Sequence, residues 1–217
     1  MSKHTVIVSG GMIEEEFALS VLQNEETEFI IGVDKGLDFL YAHKICPDYI
    51  VGDFDSAPSG VVKYYKEQTN VPIREFNPVK DASDTEIALR LCLDLHRKEI
   101  IILGGTGTRI DHIWANVQSL KIALDAGADA RILDSHNQIR LLKDKVCLKK
   151  EEAFGPYFSV FSLGGTIEGV NIVGAKYPLA DHTLLPYDSL CVSNEFEADE
   201  VEISFVYGTL ILMETKD

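Results

Sequence analysis

The sequence predicts an α/β fold: a mostly parallel, doubly wound sheet in the N-terminal part, followed by a smaller all-β domain. Strand-like and helix-like segments alternate along the first two thirds of the 217 residues, and the strand-like segments are continuously apolar. This alternation is typical of βαβ units, whose parallel sheet is covered on both faces. From about residue 138 the pattern changes to short β-like runs separated by turns. We therefore place a boundary near residue 140 and expect two domains, 1–140 and 141–217.

The N-terminal part predicts five strands with helices between them. The strands are expected at "TVIVSGG" 5–11, "FIIGVD" 29–34, "DYIVGD" 48–53, "VPIREF" 71–76 and "EIIIL" 99–103. The helices are expected from about Glu14, through Tyr41, at 59–68, from Ser83, and from about Asp111 to Gly127.

The helix after the fourth strand has the clearest start. Ser83 and Glu86 match the S-x-x-E capping box, and Ile87, Leu91 and Leu95 repeat at helical spacing. The spacing predicts that this helix begins near Asp84.

The C-terminal part predicts strands only. The β-like runs are "QIRLLK" 138–143, "KVCLKK" 145–150, "YFSVFSLGG" 157–165, "SLCVSNEF" 189–196, "VEISFVYG" 201–208 and "TLILME" 209–214.

Composition narrows the class of protein. The net charge of −15 argues against nucleic-acid binding, because phosphate neutralisation needs a basic face. The four cysteines lie far apart without a C-x-x-C pair, and we expect them to be reduced. No leader pattern starts the chain and no apolar run approaches a membrane span, so we expect a cytoplasmic protein without membrane contact.

Carboxylates follow the strands of the predicted parallel sheet. Asp34 ends one strand, Asp53 and Asp55 follow the next, and Asp84 and Asp111 begin helices after two others. Ligands of such sheets bind outside the carboxyl ends of the strands. Each acid alone is explained by a turn or a helix start, but five on one edge would repel each other without a cation. Together they indicate a divalent-metal site.

The missing ligand types indicate which metal. Oxygen ligands without clustered His or Cys suit Mg²⁺ or Mn²⁺ better than zinc. Of the six histidines, only His112, beside Asp111, is a plausible site residue, and a plain helix-start role explains it equally well.

A glycine-rich turn, "LGGTGTRIDH" 103–112, connects the fifth strand to the last helix. Such loops let backbone N–H groups approach phosphate oxygens. The turn completes neither the P-loop nor the G-x-G-x-x-G pattern, and by itself it is equally consistent with a simple turn. Arg109 could donate two hydrogen bonds to a phosphate, and Asp111 nearby could bind a metal.

At this point the residues resemble the thiamine pyrophosphokinase (thiamine diphosphokinase) family of the bacterial type. The resemblance runs over nearly the whole chain and rests on "GVDKGLDFLY" 32–41, "PDYIVGDFDS" 47–56, "KDASDTEIAL" 80–89, "GGTGTRIDH" 104–112, "GAKYPL" 174–179 and "VSNEF" 192–196. It implies an α/β domain that binds ATP, a C-terminal β-sandwich, and a homodimer that binds thiamine where the subunits meet.

The resemblance also implies roles for single residues. Asp53, Asp55 and Asp84 would hold Mg²⁺, and together with Arg109 and Asp111 they form the expected catalytic set. The expected ATP-binding residues are Asp34, Lys35, Lys80, Ser83, Gly105, Thr106, Gly107, Arg109 and His112. Ser193 and Asn194 are expected on the thiamine side.

The implied reaction transfers the pyrophosphoryl group of Mg-ATP to the hydroxyl of thiamine, which gives thiamine diphosphate and AMP. Two alternatives stay open. The "DFDS" segment is superficially similar to the D-x-D of metal-dependent phosphohydrolases, although it follows the third strand rather than an early one. A non-catalytic nucleotide- or thiamine-binding module would bind the same ligands without turnover.

Overall fold

The computed structural model describes residues 3–54, 59–75 and 82–217. The chain divides into two compact units, 1–135 and 136–217, and each is described by itself. The expected boundary near residue 140 falls inside a strand of the second unit, which runs from Asn137 to Leu142.

The first unit alternates strands and helices as predicted. Its elements are β1 (His4–Val8), α1 (Glu15–Leu22), β2 (Thr27–Val33), α2 (Gly36–Ala42), β3 (Tyr49–Gly52), α3 (Ser59–Gln68), β4 (Ile73–Glu75), α4 (Asp84–Asp94), β5 (Glu99–Leu103), α5 (Ile110–Asp125) and β6 (Asp129–Leu133).

The strands of the first unit form a parallel sheet in the order β6-β5-β1-β2-β3-β4. The chain builds outward from β1 to β4 and then returns to the other side of β1 with β5. The strand order therefore reverses between β1 and β5, and a ligand crevice is expected at such a reversal.

Apolar residues hold the central strands in place. Val6, Ile7 and Val8 of β1 are fully buried, as is Ile102 of β5. Both faces of β1 must be covered to bury three consecutive side chains, because successive side chains point to opposite faces of a strand.

Helix α4 begins where the sequence predicted. The Ser83 hydroxyl accepts a hydrogen bond from Glu86 N at 3.2 Å, and the helix starts at Asp84. The Glu86 carboxylate accepts a hydrogen bond from Arg90 Nε at 2.9 Å, one turn further along the helix. The serine thus caps the helix while the glutamate braces its outer face.

The second unit contains eight strands and one 3-10 turn at Lys150–Glu152. The strands are β7 (Asn137–Leu142), β8 (Val146–Lys149), β9 (Tyr157–Ser162), β10 (Ile167–Val173), β11 (Leu179–Leu184), β12 (Asn194–Glu195), β13 (Glu200–Ser204) and β14 (Leu210–Thr215). They form two antiparallel groups, β12-β9-β14-β7 and β11-β10-β13-β8. Side chains of both groups share one core, which includes Phe158, Ile172 and Leu212.

Several predicted strands are wrong in extent or were missed. The segment 9–11 is a loop after β1, and residues 190–193 form a turn, so that only Asn194 and Glu195 of "SLCVSNEF" are strand. Ser193 has a φ of 55°, in the left-handed region, which ends the extended run. Strands β6, β10 and β11 were not predicted, because polar residues or glycine interrupt their apolar pattern.

In the part of the chain that the structure describes, no helix is both long enough and apolar enough to cross a membrane.

Gly36 tests how closely α2 packs on β1. A Cβ added at Gly36 would lie 2.0 Å from Val8 O, so Gly36→Ala forces the helix and the strand apart. We expect the substitution to lower the free energy of unfolding by about 1–3 kcal/mol in urea denaturation.

Gly60→Ala is the matched control, because a Cβ at this α3 position meets nothing within 4 Å. Alanine also restricts the unfolded chain, so the free energy of unfolding should stay unchanged or rise by about 0.4–1 kcal/mol. Equal losses in both variants would contradict the close packing at Gly36.

Candidate active site

Two loops meet where the strand order reverses. The loop 9–12 follows β1 and the glycine-rich loop 104–109 follows β5. Gly11 N donates a hydrogen bond to Gly104 O at 2.9 Å, and Met12 N donates one to Thr106 O at 2.7 Å. A Cβ at Gly11 would lie only 2.0 Å from Thr106 O, so this approach requires glycine. The two loops therefore form one backbone-bonded platform.

A cleft of about 810 Å³ opens beside this platform. It is bounded by the carboxyl ends of β1, β2 and β5 and by the first turns of α4 and α5. The structure brings ten of the predicted site residues to its wall: Asp34, Lys35, Ser83, Asp84, Gly105, Thr106, Gly107, Arg109, Asp111 and His112.

Asp53 lies beside this group rather than in the wall of the cleft. A Cβ at Gly52, the residue before it, would lie 2.2 Å from Asp34 Oδ1. The Asp34 carboxylate thus packs directly against the backbone that leads into Asp53. Asp55 and Lys80 lie outside the described residues.

The backbone at Asp34 turns sharply after β2. Its φ of 44° lies in the left-handed region, which aspartate tolerates better than most residues. Asp34 N still donates to Val51 O at 3.3 Å, and Asp34 O accepts from Leu37 N at 3.0 Å. Asp34 therefore ends the strand and starts the connection to α2 while its side chain stays at the sheet edge.

Arg109 and Asp111 bind each other through two parallel hydrogen bonds. Arg109 Nε donates to Asp111 Oδ1 at 3.2 Å and Nη2 donates to Oδ2 at 2.6 Å. The hydrogen bonds hold the pKa of the Asp111 carboxyl below its ordinary value and raise the pKa of Arg109. Both side chains are well exposed, at 68% and 64%. They stand at the mouth of the cleft, where solvent and ligands can reach them.

Hydrogen bonds of polar side chains hold the glycine-rich loop in place. Asn116 of α5 donates from Nδ2 to Gly105 O at 2.8 Å. Thr106 Oγ1 donates to Asp134 Oδ2 at 2.8 Å, just beyond β6. These bonds fix the position of the loop at Gly105 and Thr106.

Sequence reasoning missed several residues of the site, namely Ser9, Gly10, Gly11, Met12, Thr85 and Asn116, which all line the cleft. A signal existed for the first loop, since "SGG" directly follows a buried strand. The supporting Asp134 follows the unpredicted strand β6, so recognising that strand would have added a further carboxylate at the same sheet edge.

The described residues alone do not hold a metal cage. Within 3–54, 59–75 and 82–217, no three His, Cys, Asp or Glu side chains lie close enough together to bind one ion. Asp34 and Asp84 do line the cleft. Magnesium ions commonly bind one or two carboxylates together with substrate phosphates, and this donor set fits that pattern.

The predicted thiamine-side residues lie in the second unit. Ser193 is exposed, and its N donates to Ser159 Oγ at 3.0 Å. Asn194 is only 3% exposed. Its Nδ2 donates to Tyr177 O at 2.8 Å, and its Oδ1 accepts from Tyr177 N at 3.0 Å and from Glu195 N at 2.9 Å. The Asn194 amide thus bonds to backbone groups of Tyr177 and Glu195.

The segments 174–179 and 192–196 form one substructure around Asn194. Lys176 N donates to Glu195 O at 2.9 Å, and Lys176 Nζ lies 2.6 Å from Glu195 Oε1. Ala175 and Phe196 form an antiparallel bridge. Through these contacts, each of the two segments supplies hydrogen-bond partners to the other.

Comparison with known proteins covers both units. A family model described as the thiamin pyrophosphokinase catalytic domain matches residues 22–132, and one described as the thiamin pyrophosphokinase vitamin B1 binding domain matches 144–210. A thiamine pyrophosphokinase of Bacillus subtilis (strain 168) is 29% identical over 211 residues, which are 97% of this chain and 98% of that protein.

Solved structures agree over the same length. The crystal structure of thiamine pyrophosphokinase from Bacillus subtilis is 30% identical, covers 99% of this chain and 100% of that one, and has a TM-score of 0.86. The corresponding structure from Geobacillus thermodenitrificans is 28% identical, with 98% and 97% covered and a TM-score of 0.84. The yeast structure is 15% identical, with 99% and 87% covered and a TM-score of 0.84, and shows that the fold is shared.

The hydrogen bonds of Asn194 predict a large stability effect. Asn194→Ala removes the partners of the partly buried N–H and carbonyl groups of Tyr177, and the loss of each hydrogen bond costs about 0.5–1.5 kcal/mol. We expect urea denaturation to report a loss of at least that size. The control is Asn24→Ala, whose Oδ1 accepts only an exposed bond from Glu26 N, and whose effect should stay within about 0.5 kcal/mol. Similar losses in both variants would contradict a structural role special to Asn194.

Proposed function

We infer the activity of this chain from its family: it belongs to the thiamine pyrophosphokinase family, and it diphosphorylates thiamine. We propose ATP as the donor and AMP as the second product. The observation that supports this proposal is the cleft at the strand-order reversal, where carboxylates and a glycine-rich loop line the same wall.

The proposed step is attack of the thiamine hydroxyl oxygen on the β-phosphorus of ATP. The bond between the β-phosphorus and the oxygen that bridges it to the α-phosphorus breaks, and AMP leaves with that oxygen. A new bond forms between the hydroxyl oxygen and the β-phosphorus, and the hydroxyl proton passes to solvent. Such transfers require alignment and charge neutralisation more than a strong base.

In this proposal the glycine-rich loop and Arg109 bind the polyphosphate. Backbone N–H groups at the start of a helix favour phosphate oxygens, and residues 104–109 lead directly into α5. The Arg109 guanidinium can offer two parallel N–H groups to one phosphate. The proposed ATP-binding set is completed by Asp34, Lys35, Ser83, Gly105, Thr106, Gly107, His112 and, outside the described residues, Lys80.

The carboxylates are proposed to hold a divalent cation, with Mg²⁺ as the preferred ion. Asp53, Asp55 and Asp84 would be its ligands, directly or through water, and Asp34 and Asp111 would add negative charge nearby. Hard oxygen donors favour Mg²⁺ over zinc. When bound, the ion neutralises the charge of the phosphates.

The second unit is proposed to bind thiamine and to form a homodimer, with residues 1–140 as the ATP-binding domain and 141–217 as the thiamine domain. Ser193 is exposed and available to a ligand, whereas Asn194 would act by shaping the segment around Tyr177. Thiamine is a cation, and an acidic protein favours its approach.

We propose the cytoplasm as the compartment, since all four cysteines are free thiols.

The phosphohydrolase and the non-catalytic module are not favoured. Both domain models of the family match this chain, each over one of its two parts. A hydrolase would release phosphate without an acceptor alcohol, and a binding module would release no product.

The proposed reaction is tested by chromatography of the products from ATP, with and without thiamine and with and without MgCl₂. We expect equimolar AMP and thiamine diphosphate only when all components are present. Formation of ADP or free phosphate, or product without a divalent cation, would contradict the proposed donor chemistry or the metal.

The guanidinium of Arg109 is tested by Arg109→Lys. Lysine keeps the charge but loses the two parallel N–H groups, so we expect kcat/KM for ATP to fall by about tenfold or more. The control is Arg131→Lys, because Arg131 binds Asp129 at the amino end of β6, far from the carboxyl-end loops. A wild-type rate for Arg109→Lys would remove the bidentate role.

A further inference from the structure

A buried pair of hydroxyl groups links the two sides of the cleft. Ser9 Oγ and Thr85 Oγ1 are 2.6 Å apart and share a hydrogen bond, although 76 positions separate them in the sequence. Each residue is only 6% exposed. Ser9 directly follows β1, and Thr85 is the second residue of α4.

Ser9 is tied to the glycine-rich loop. Its N donates to Leu103 O at 2.8 Å, and a Cβ at Gly104 would lie 2.3 Å from Ser9 O. Two residues later, Gly11 N binds Gly104 O at 2.9 Å. Because the backbone of Ser9 is bonded and packed against this loop, its hydroxyl has a defined position relative to the loop that leads to Arg109.

Thr85 is tied to the acidic side of the cleft. It follows Asp84, which lines the cleft, and both residues belong to the first turn of α4. The Ser83 cap fixes where this turn begins. Threonine is branched at Cβ and has few rotamers in a helix, so a bond to its hydroxyl restrains the helix backbone as well as the side chain.

We propose that the Ser9–Thr85 hydrogen bond positions the Asp84 carboxylate relative to the glycine-rich loop, and that both hydroxyl-bearing residues are therefore positioning residues for the reaction. This inference rests on the proposed function, because it assumes that Asp84 and the loop act on one polyphosphate. A hydrogen bond restrains distance and direction, which apolar packing of the same two side chains would not.

The main test is Thr85→Val, which keeps the shape of the side chain and removes the hydroxyl. We expect kcat to fall roughly 10- to 100-fold, because small displacements of aligned groups cost rates of that order. The MgCl₂ concentration for half-maximal activity should rise, while KM for thiamine should change less than about twofold. Thr85→Ser retains the hydroxyl and should recover most of kcat.

The matched control is Thr27→Val at the opposite end of the sheet. Thr27 begins β2, and its hydroxyl donates to Val21 O at 2.8 Å and lies 2.9 Å from His4 Nε2. Losing a hydrogen-bonded hydroxyl, which is buried at Thr85 and partly buried at Thr27, should lower Tm by several degrees in both valine variants. Only Thr85→Val should change kcat or the dependence on MgCl₂.

The double variant Ser9→Ala with Thr85→Val tests whether the two hydroxyls act as one unit. If they do, each single variant already removes the restraint, and the double variant should be no slower than the slower single one. If the losses of the two single variants multiply in the double variant, the hydroxyls are not coupled. If Thr85→Val keeps the wild-type kcat while its Tm is lowered, the hydrogen bond contributes to stability only and the positioning role is overturned.

A binding measurement that needs no turnover distinguishes failure of the proposed function from failure of the positioning role. α,β-Methylene-ATP has an α–β bridge that cannot be cleaved. Titration calorimetry with this nucleotide in the presence of MgCl₂ should show about tenfold weaker binding for Thr85→Val and unchanged binding for Thr27→Val. Absence of AMP formation by the wild-type protein would overturn the proposed function alone. Unchanged binding and unchanged kcat in Thr85→Val would overturn the positioning role alone.

Discussion

The cleft depends on the backbone bonds between the loops that follow β1 and β5. Gly11 and Met12 donate to the carbonyl groups of Gly104 and Thr106, so two segments about 93 residues apart in the chain are bonded to each other. Only glycine permits the approach at position 11, where any side chain would overlap the facing carbonyl. The loop that leads to Arg109 and to the start of α5 belongs to this platform.

The two units use buried amides and hydroxyls in the same way. In the first unit Asn116 holds the backbone of Gly105, and in the second Asn194 holds the backbone of Tyr177. In both, a side chain that is more than nine-tenths buried bonds to an irregular segment rather than to a regular strand. Irregular backbone near a binding surface has few ladder bonds of its own, and buried side chains supply the missing partners.

Much of the fold and part of the site could be predicted from the sequence. Continuous apolar strands between helices are visible as a pattern, and they place Asp34 and Asp84 at one sheet edge because parallel strands end on the same side. Asn116 could not be predicted, because a bond to a distant carbonyl leaves no periodic signal. The turn before Asn194 was taken for a strand, since the left-handed backbone of Ser193 is invisible in an apolar run. Strand β11 was missed because His182 and its polar neighbours interrupt the expected alternation.

The pairing of Arg109 with Asp111 affects which anions are favoured at the mouth of the cleft. The Asp111 carboxylate occupies two of the five N–H groups of the guanidinium, so an incoming anion either uses the remaining three or displaces that carboxylate. A singly charged anion offers no more attraction than the carboxylate that it replaces, whereas a polyphosphate brings several charges and several acceptor oxygens to the same exchange. Where the carboxylate is displaced, the exchange therefore favours a polyphosphate over a singly charged anion.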